Sequence, residues 1–438
     1  MKTQICESES LDAVPVGWKA AKLKYHAELN PKCKTQVTED SEVTFTPMEN
    51  IKNGYFIPGK EKYGMFAGNS QYAEYEEGDI AFAKVTPCFE NDNIAIMQDL
   101  VNGKGFGSSE LFVMRPLDIG IKYLFYLIQS PHFKANGVAS MTGTGGLKRV
   151  SSDAVRNYKF ALPDAKIQNL ISSYLDTKCA ELDKVVEQTR ATIEEYKKLK
   201  QAIITEAVTK GVRGPRPMKP SGVAWIGDIP EEWVVLKTLW LLEMPITDGP
   251  HETPTLYDEG IPFISAEAVS CGRGRIDFSH KRGYISKEYY DECCKKYTPR
   301  LHDIYMIKSG ATTGRVSMVD TEEVFTIWSP LAVLRVNQEK MLSRFLFYSL
   351  QADYYQKQIS LSWSFGTQQN IGMRVLEQLK IATPDADEQQ EIVAYLDTKC
   401  AEIDLIIEKK EQLIEELGSY KKSLIYEYVT GKKQVLYK

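Results

Sequence analysis

Long apolar runs are missing from this 438-residue sequence. None approaches the ~18 residues that a membrane-crossing helix needs, and YLFYLI (123–128) is short and follows a lysine. The opening MKTQICESES is polar and is not expected to act as a secretory leader, so a cytoplasmic location is expected. Metal-ligand spacing is missing as well. The eight cysteines (Cys6, Cys33, Cys88, Cys179, Cys271, Cys293, Cys294, Cys400) contain no CxxC pair, and the five histidines do not cluster with them. That excludes the usual zinc frameworks, leaves no metal residue to nominate and points to reduced thiols. A strong charge of one sign is lacking too. The net charge of −5 argues against an unspecific polyanion binder, so any nucleic-acid contact has to come from local basic patches.

Catalytic motifs are equally scarce. GYFIPGKE (54–61) approaches a Walker A loop but ends in Glu61, where Mg²⁺ chemistry needs Ser or Thr. GKGFG (103–107) has spaced glycines but leads into the strand-like ELFVMR rather than a helix, and a tight hairpin is the plainer expectation. No two prolines are adjacent, so the Asp/Asn-Pro-Pro-aromatic motif of amino-methyltransferases is absent. Neither a Ser/His/Asp set nor a carboxylate pair stands out. The chain is expected to be non-catalytic.

What is present is a repeat. YLDTKCAE occurs at 174–181 and again at 395–402. At this offset of 221 residues, 18 of 36 positions from Tyr174 to Thr209 are identical to those from Tyr395 to Thr430, where chance gives about two. The offset also pairs Pro163-Asp164-Ala165 with Pro384-Asp385-Ala386, Gln168 with Gln389 and Ile171 with Ile392. Farther upstream only Pro15 and Trp18 echo Pro230 and Trp233, at an offset of 215. Apolar residues in each copy recur every three or four positions, as on an amphipathic helix. Asp164 and Asp385 suit helix N-caps, and Gly211 and Gly431 suit helix exits. About 42 residues of helix make a rod of ~63 Å. Such a rod needs a partner for its apolar stripe, and the other copy is at hand. Tyr174, Leu175, Leu182, Tyr395, Leu396 and Ile403 are the candidate spacer and partner-binding residues. GVRGPRPMKPSG between the copies reads as a linker, and a whole block must fit between the helices, so antiparallel pairing is expected.

The expected fold is α+β: two mixed α/β domains joined by two long helices in an antiparallel coiled coil, a pseudo-twofold internal repeat. The boundaries are a first domain at 1–163, a helix at 164–210, a linker at 211–224, a second domain at 225–384, a helix at 385–431 and a tail at 432–438. DIAFAKV (79–85), LFVMR (111–115), YMIKS (305–309) and LAVLRV (331–336) read as strands. YLFYLIQS and RFLFYSLQADYYQKQ read as one helix per block.

Basic character is local. Residues 273–300 carry eight Lys/Arg against four Asp/Glu, and 147–159 carry four against one. Arg and Lys supply phosphate contacts, and Arg, Gln and Asn read base edges. The candidate DNA contacts are Lys84, Thr144, Lys148 and Arg149 in the first block. In the second they are Arg273, Arg275, Lys281, Lys308, Thr312, Arg315, Gln368 and Gln369. A solvated basic face is the alternative for each patch, and core packing of Trp363 and Phe365 the alternative around SWSFGTQQN (362–370).

The order of block, helix, block, helix resembles the specificity subunit of type I restriction-modification enzymes. So do GDIAFAKVTPCFEN (78–91), GFGSSELFVMRP (105–116), MTGTGGLKRVS (141–151), SGVAWIGDIPEEW (221–233), KSGATTGR (308–315) and EQQEIVAYLDTKCAEID (388–404). The resemblance implies that each block is a target-recognition domain reading one half of a split double-stranded DNA sequence, with the coiled coil as spacer. It implies two methyltransferase subunits docked on the repeats, restriction subunits beside them, and S-adenosylmethionine, ATP and Mg²⁺ used by those subunits, with no cofactor on this chain. One departure is KIQNL (166–170) in place of EQQEI (388–392), which bears on whether both repeats bind partners equally. A stand-alone DNA-modifying enzyme and a coiled-coil interaction protein are the alternatives.

Overall fold

A computed structural model of the chain describes residues 14–67, 71–143, 146–362, 364–365 and 369–435. They fall into two compact units. One takes the first block with residues up to Thr189 and those from Glu411 onward; the other is Arg190–Lys410.

In the first unit, strand Lys19–Lys22 pairs antiparallel with Lys159–Leu162, closing the block where the chain enters and leaves it. Two four-stranded sheets lie between. One is antiparallel, in the order Ala27–Leu29, Leu111–Pro116, Ile80–Ala83, Ile94–Ile96. The other runs Gly59–Lys62, Glu42–Thr46, Lys104–Gly107, Ala73–Glu76, with its two middle strands parallel. Helices Ile121–Gln129 and Pro131–Ala139 follow. The GKGFG segment thus turns into a central strand instead of forming a hairpin. Its glycines are steric: a Cβ on Gly105 would lie 2.0 Å from the ring of Tyr75, its cross-strand partner. The Tyr75 hydroxyl donates to Thr46 Oγ1 at 2.8 Å and is buried there.

The second unit repeats this plan. Strand Val234–Lys237 pairs with Lys380–Thr383. A four-stranded antiparallel sheet runs Thr247–Asp248, Leu331–Leu334, Ile304–Ile307, Val316–Met318. A three-stranded sheet runs Gly283–Ile285, Ile261–Ile264, Thr326–Ile327, the last pair parallel. The helix expected over RFLFYSLQADYYQKQ is two, Ser343–Gln351 and Asp353–Leu361, broken by extended Ala352 (φ −61, ψ 145). The first block breaks at the same place, at Ser130 before Pro131, where proline forbids a helical predecessor. In both blocks an arginine at the end of one strand grips an aspartate at the start of its neighbour. Arg115 meets Asp79 at 2.7 Å, and Arg335 meets Asp303 at 2.7–2.8 Å.

The long helices span Ala165–Lys210 and Ala386–Val429. Asp164 and Asp385 accept from the backbone N–H of Ile167 and Glu388 at 2.9 and 2.8 Å, capping the first turns. Gly211 follows the first helix at φ +76, a conformation that only glycine adopts without strain. The repeated letters fasten each helix to its own block. Gln168 and Gln389 accept from Gly120 N and Leu342 N, fixing the start of a block helix. Asp176 and Asp397 accept from the hydroxyls of Tyr126 and Tyr348 at 2.8 and 2.6 Å. Leu175 with Cys179, and Leu396 with Cys400, are buried in the respective cores, each leucine contributing about 1.5–3 kcal/mol.

Within each unit the two helices run antiparallel. In the first unit the Tyr174 and Tyr428 rings lie 4.6 Å apart, and Lys421 bonds Asp183 at 2.7 Å. In the second, Lys200 bonds Asp404 at 2.7 Å and Arg213, just past the helix, reaches Glu391 at 2.7 Å. Leu182 is partly buried, Ile403 is buried and Tyr395 is exposed. Tyr395 has no ring to meet because Ala207 occupies the position that Tyr428 holds in the second copy.

Candidate nucleic-acid interface

Each block presents two loops side by side at one end of its antiparallel sheet. In the first, the chain leaves strand Ile80–Ala83 at Lys84, whose N–H donates to Glu110 O and whose carbonyl accepts from Val150 N. Bridges Val85↔Arg149 and Thr142↔Arg149 hold Arg149 and Thr142 against it. In the second, the chain leaves Ile304–Ile307 at Lys308, whose N–H donates to Pro330 O and whose carbonyl accepts from Ile371 N. The bridge Ser309↔Asn370 holds the 369–371 segment against the 308–315 loop. Lys84 and Lys308 therefore occupy one place in a common plan.

The candidate contacts do not all face outward. Arg149 forks onto Glu110 at 2.7 and 2.9 Å. That fork, with Lys84 nearby, holds the Glu110 carboxyl below its ordinary pKa. The Lys84 ammonium lies 5.7 Å from the Phe112 ring and lines a cavity of about 660 Å³ with Asn30, Lys32, Tyr72 and Ser109. Lys148 is exposed, its backbone tied to Thr86 Oγ1 at 3.0 Å. In the second block Lys308 turns inward to Asp248 at 2.6 Å, and Lys296 joins the same carboxylate at 2.5 Å. Burial alone would raise the pKa of Asp248, which is 1% exposed, but the two lysines outweigh burial and hold it low. His251 Nε2 lies 3.1 Å from the same carboxylate.

Arg275 is 80% exposed with Asp320 at 3.4 Å, and exposed Arg315 reaches Ser270 O at 3.3 Å. Arg273 is exposed in a left-handed turn at φ +49. Lys281 sits 4.8 Å from the Tyr284 ring. Thr312 is half-buried, its carbonyl accepting from Arg315 N, and Gln369 is exposed, its carbonyl accepting from Gly310 N. Thr144, Gln368 and Trp363 lie outside the described residues. Asp248, Glu110, Lys296 and Lys32 were missed by sequence reasoning. Sliding the chain by 224 residues, which aligns Asp79-Ile80…Lys84 with Asp303-Ile304…Lys308, is the signal that locates the shared strand and its loop.

Among the described residues no group of His, Cys, Asp and Glu can hold a metal ion, and no helix is long and apolar enough to cross a membrane. What the paired loops offer is hydrogen-bond donors and cations at the edge of a rigid sheet, an arrangement suited to recognition rather than bond making.

Residues 251–416 match the family model of the type I restriction modification DNA specificity domain. Residues 251–416 are thus similar to a type I specificity domain. The resemblance carried by the sequence strings is thereby borne out. The type I restriction enzyme EcoEI and EcoAI specificity subunits of Escherichia coli are each 32% identical, over 207 and 206 residues. These matches cover 46% of this chain and 34% of each relative, so the chain spans about a third of the length of those relatives. The MjaVIII specificity subunit of Methanocaldococcus jannaschii is 25% identical over 317 residues, 72% of this chain and 70% of that one.

Two solved structures share the fold. One comes from work on "complex assembly and conformational transition of the type I R-M system", with a TM-score of 0.71 at 19% identity, covering 96% of this chain and 100% of that chain. The other is the HsdS subunit from Thermoanaerobacter tengcongensis, with a TM-score of 0.50 at 20% identity, covering 96% and 98%. The specificity-domain match covers most of the second block, from residue 251, and much of the second long helix, the segment that holds the Asp248 cluster's lysines and the 308–315 loop.

Proposed function

We propose that this chain is the non-catalytic DNA-specificity subunit of a type I restriction-modification complex. Each block reads one half of a split double-stranded target through its paired loops, and the two helices, as an antiparallel coiled-coil spacer, set the distance between halves. The observation that carries this reading is the equivalence of the blocks. The same strand, the same backbone-tethered loop and the same arginine–aspartate grip recur, while the loop sequences differ.

Two methyltransferase subunits dock on the repeated helix surfaces, and restriction subunits complete the complex. The repeat itself supports this. Leu175, Asp176 and Cys179 are kept alike in the second copy by packing, but Thr177, Lys178 and Glu181 are not so constrained. Thr177 and Thr398 bond their own helix, and Lys178–Glu181 and Lys399–Glu402 are partly exposed i,i+3 pairs. Identity on an outward face needs a second cause, and two copies of one partner supply it. Exposed Tyr420 and Leu199, at equivalent positions, extend these surfaces. S-adenosylmethionine, ATP and Mg²⁺ then belong to the partner subunits, in the cytoplasm.

The test is methyl transfer. Purified chain with DNA and S-adenosylmethionine is expected to transfer no methyl groups; adding the methylating subunit is expected to produce methylation at a split sequence. Methylation by this chain alone would refute the subunit reading. Specific gel shifts that appear only with the partner set it apart from an interaction protein that never touches DNA.

A further inference from the structure

Among the exposed cations of the second block, Arg282 is distinguished by the ring beneath it. Arg282 is exposed, and its guanidinium carbon lies 3.6 Å above the centroid of the Trp328 ring. Among the described residues no carboxylate lies within ion-pair distance of it, in contrast to Lys296, Lys308 and Arg335 of the same block. The platform is itself fixed: Trp328 Nε1 donates to Glu252 O at 3.2 Å, and its backbone N–H to Ile264 O at 2.9 Å. Stacking engages only the face of the guanidinium. Its in-plane N–H donors stay available in one orientation, at little further entropy cost.

The neighbourhood extends the same chemistry. Tyr257 and Tyr284 exchange backbone hydrogen bonds at 2.9 and 3.3 Å, which puts their rings on one face of the sheet. Tyr257 is 51% exposed, and the Lys281 ammonium lies 4.8 Å from the Tyr284 ring. Asp258 and Glu259 follow Tyr257 and are exposed, so an anion is seated at the Arg282–Lys281 end. This surface continues the interface described above. Trp328 lies two residues before Pro330, whose carbonyl anchors the loop at Lys308.

We infer that Arg282, braced by Trp328, is a phosphate contact of the second block with the DNA backbone, with Lys281 beside it. The inference rests on the DNA-recognition reading. A charge-neutralised Lys308 cannot supply this contact, and an unpaired, pre-oriented arginine can.

The experiment uses the full-length chain assembled with the methylating subunit and random-sequence duplexes of about 40 base pairs, with anisotropy titrations across a range of KCl concentrations. Arg282→Ala is expected to weaken binding about three- to tenfold. It should also flatten the slope of log K against log salt by roughly 0.9, the mark of one lost phosphate contact. Arg282→Lys should restore most of the slope. Trp328→Ala should keep the slope and lose affinity, because the charge remains but is no longer held. Thermal melting of each variant verifies the fold. Unchanged affinity and slope in Arg282→Ala, with wild-type binding intact, would overturn the assignment. So would a loss confined to particular sequences with the slope unchanged, which marks a base contact. A wild-type complex that binds no duplex would overturn the DNA-recognition reading as well.

Discussion

Under the proposed function, replacing residues 1–163 with the first block of a type I specificity subunit is expected to change one half of the recognised sequence and leave the other half intact. Each block closes on itself through a strand pair where the chain enters and leaves it, Lys19–Lys22 with Lys159–Leu162 and Val234–Lys237 with Lys380–Thr383. The loops proposed to read bases hang from a sheet internal to each block. The attachments to the long helix run through Gln168 and Asp176, or Gln389 and Asp397, outside the exchanged segment. A graft therefore keeps its footing and brings its own loops. Because a mismatched base pair costs about 1–3 kcal/mol, the exchanged half-site should switch by orders of magnitude across several bases. Mapping methylated sites for the parent and the chimera checks this; a change in both halves would contradict the independence of the blocks.

Glu388→Ala is expected to destabilise the second unit by about 3–5 kcal/mol, the usual cost of removing one partner from a buried ion pair. Glu388 is fully buried. Its carboxylate accepts from Trp233 Nε1 at 2.8 Å and from both terminal nitrogens of Arg216, a residue of the linker after the first long helix. Without it the indole N–H and much of the guanidinium are left without an anion in a dry site. Five of the six tryptophans fall in the second unit, so denaturant unfolding followed by tryptophan fluorescence reports on it. An unchanged midpoint would show that the cluster contributes nothing.

At the 221-residue offset EQQEI (388–392) aligns with IQNLI (167–171), one residue on from KIQNL, and this cluster explains the departure between the repeats. The acidic letters answer Arg213 and Arg216 of the linker, which the first copy does not meet at Ile167, so internal packing accounts for the difference.

What was legible in the sequence follows from range. The helices, their aspartate caps, their glycine exits and their antiparallel sense depend on local periodicity and on a repeat long enough to see, and the structure contains them. The strands DIAFAKV, LFVMR, YMIKS and LAVLRV are likewise local. The second repeat, that of the blocks, was only coarsely visible because the offset drifts. It is 221 at Lys159 and Lys380, 224 at Asp79 and Asp303, and 220 at Arg115 and Arg335. Least legible was which cations are free. Lys308 and Arg149 look alike in a basic stretch, yet each meets a carboxylate far along the chain, Asp248 and Glu110. Arg282, one of eight basic residues in its stretch, is singled out only by Trp328 beneath it.

The ruler proposed for the two half-sites is the pair of long helices. One added turn in each, four residues or ~6 Å, placed between Thr189 and Arg190 and between Lys410 and Glu411, keeps both helices in step. Methylation mapping of the complex carrying this chain should then find the same bases in each half, separated by one or two more base pairs at about 3.4 Å each. An unchanged separation, or altered bases in either half, would contradict it.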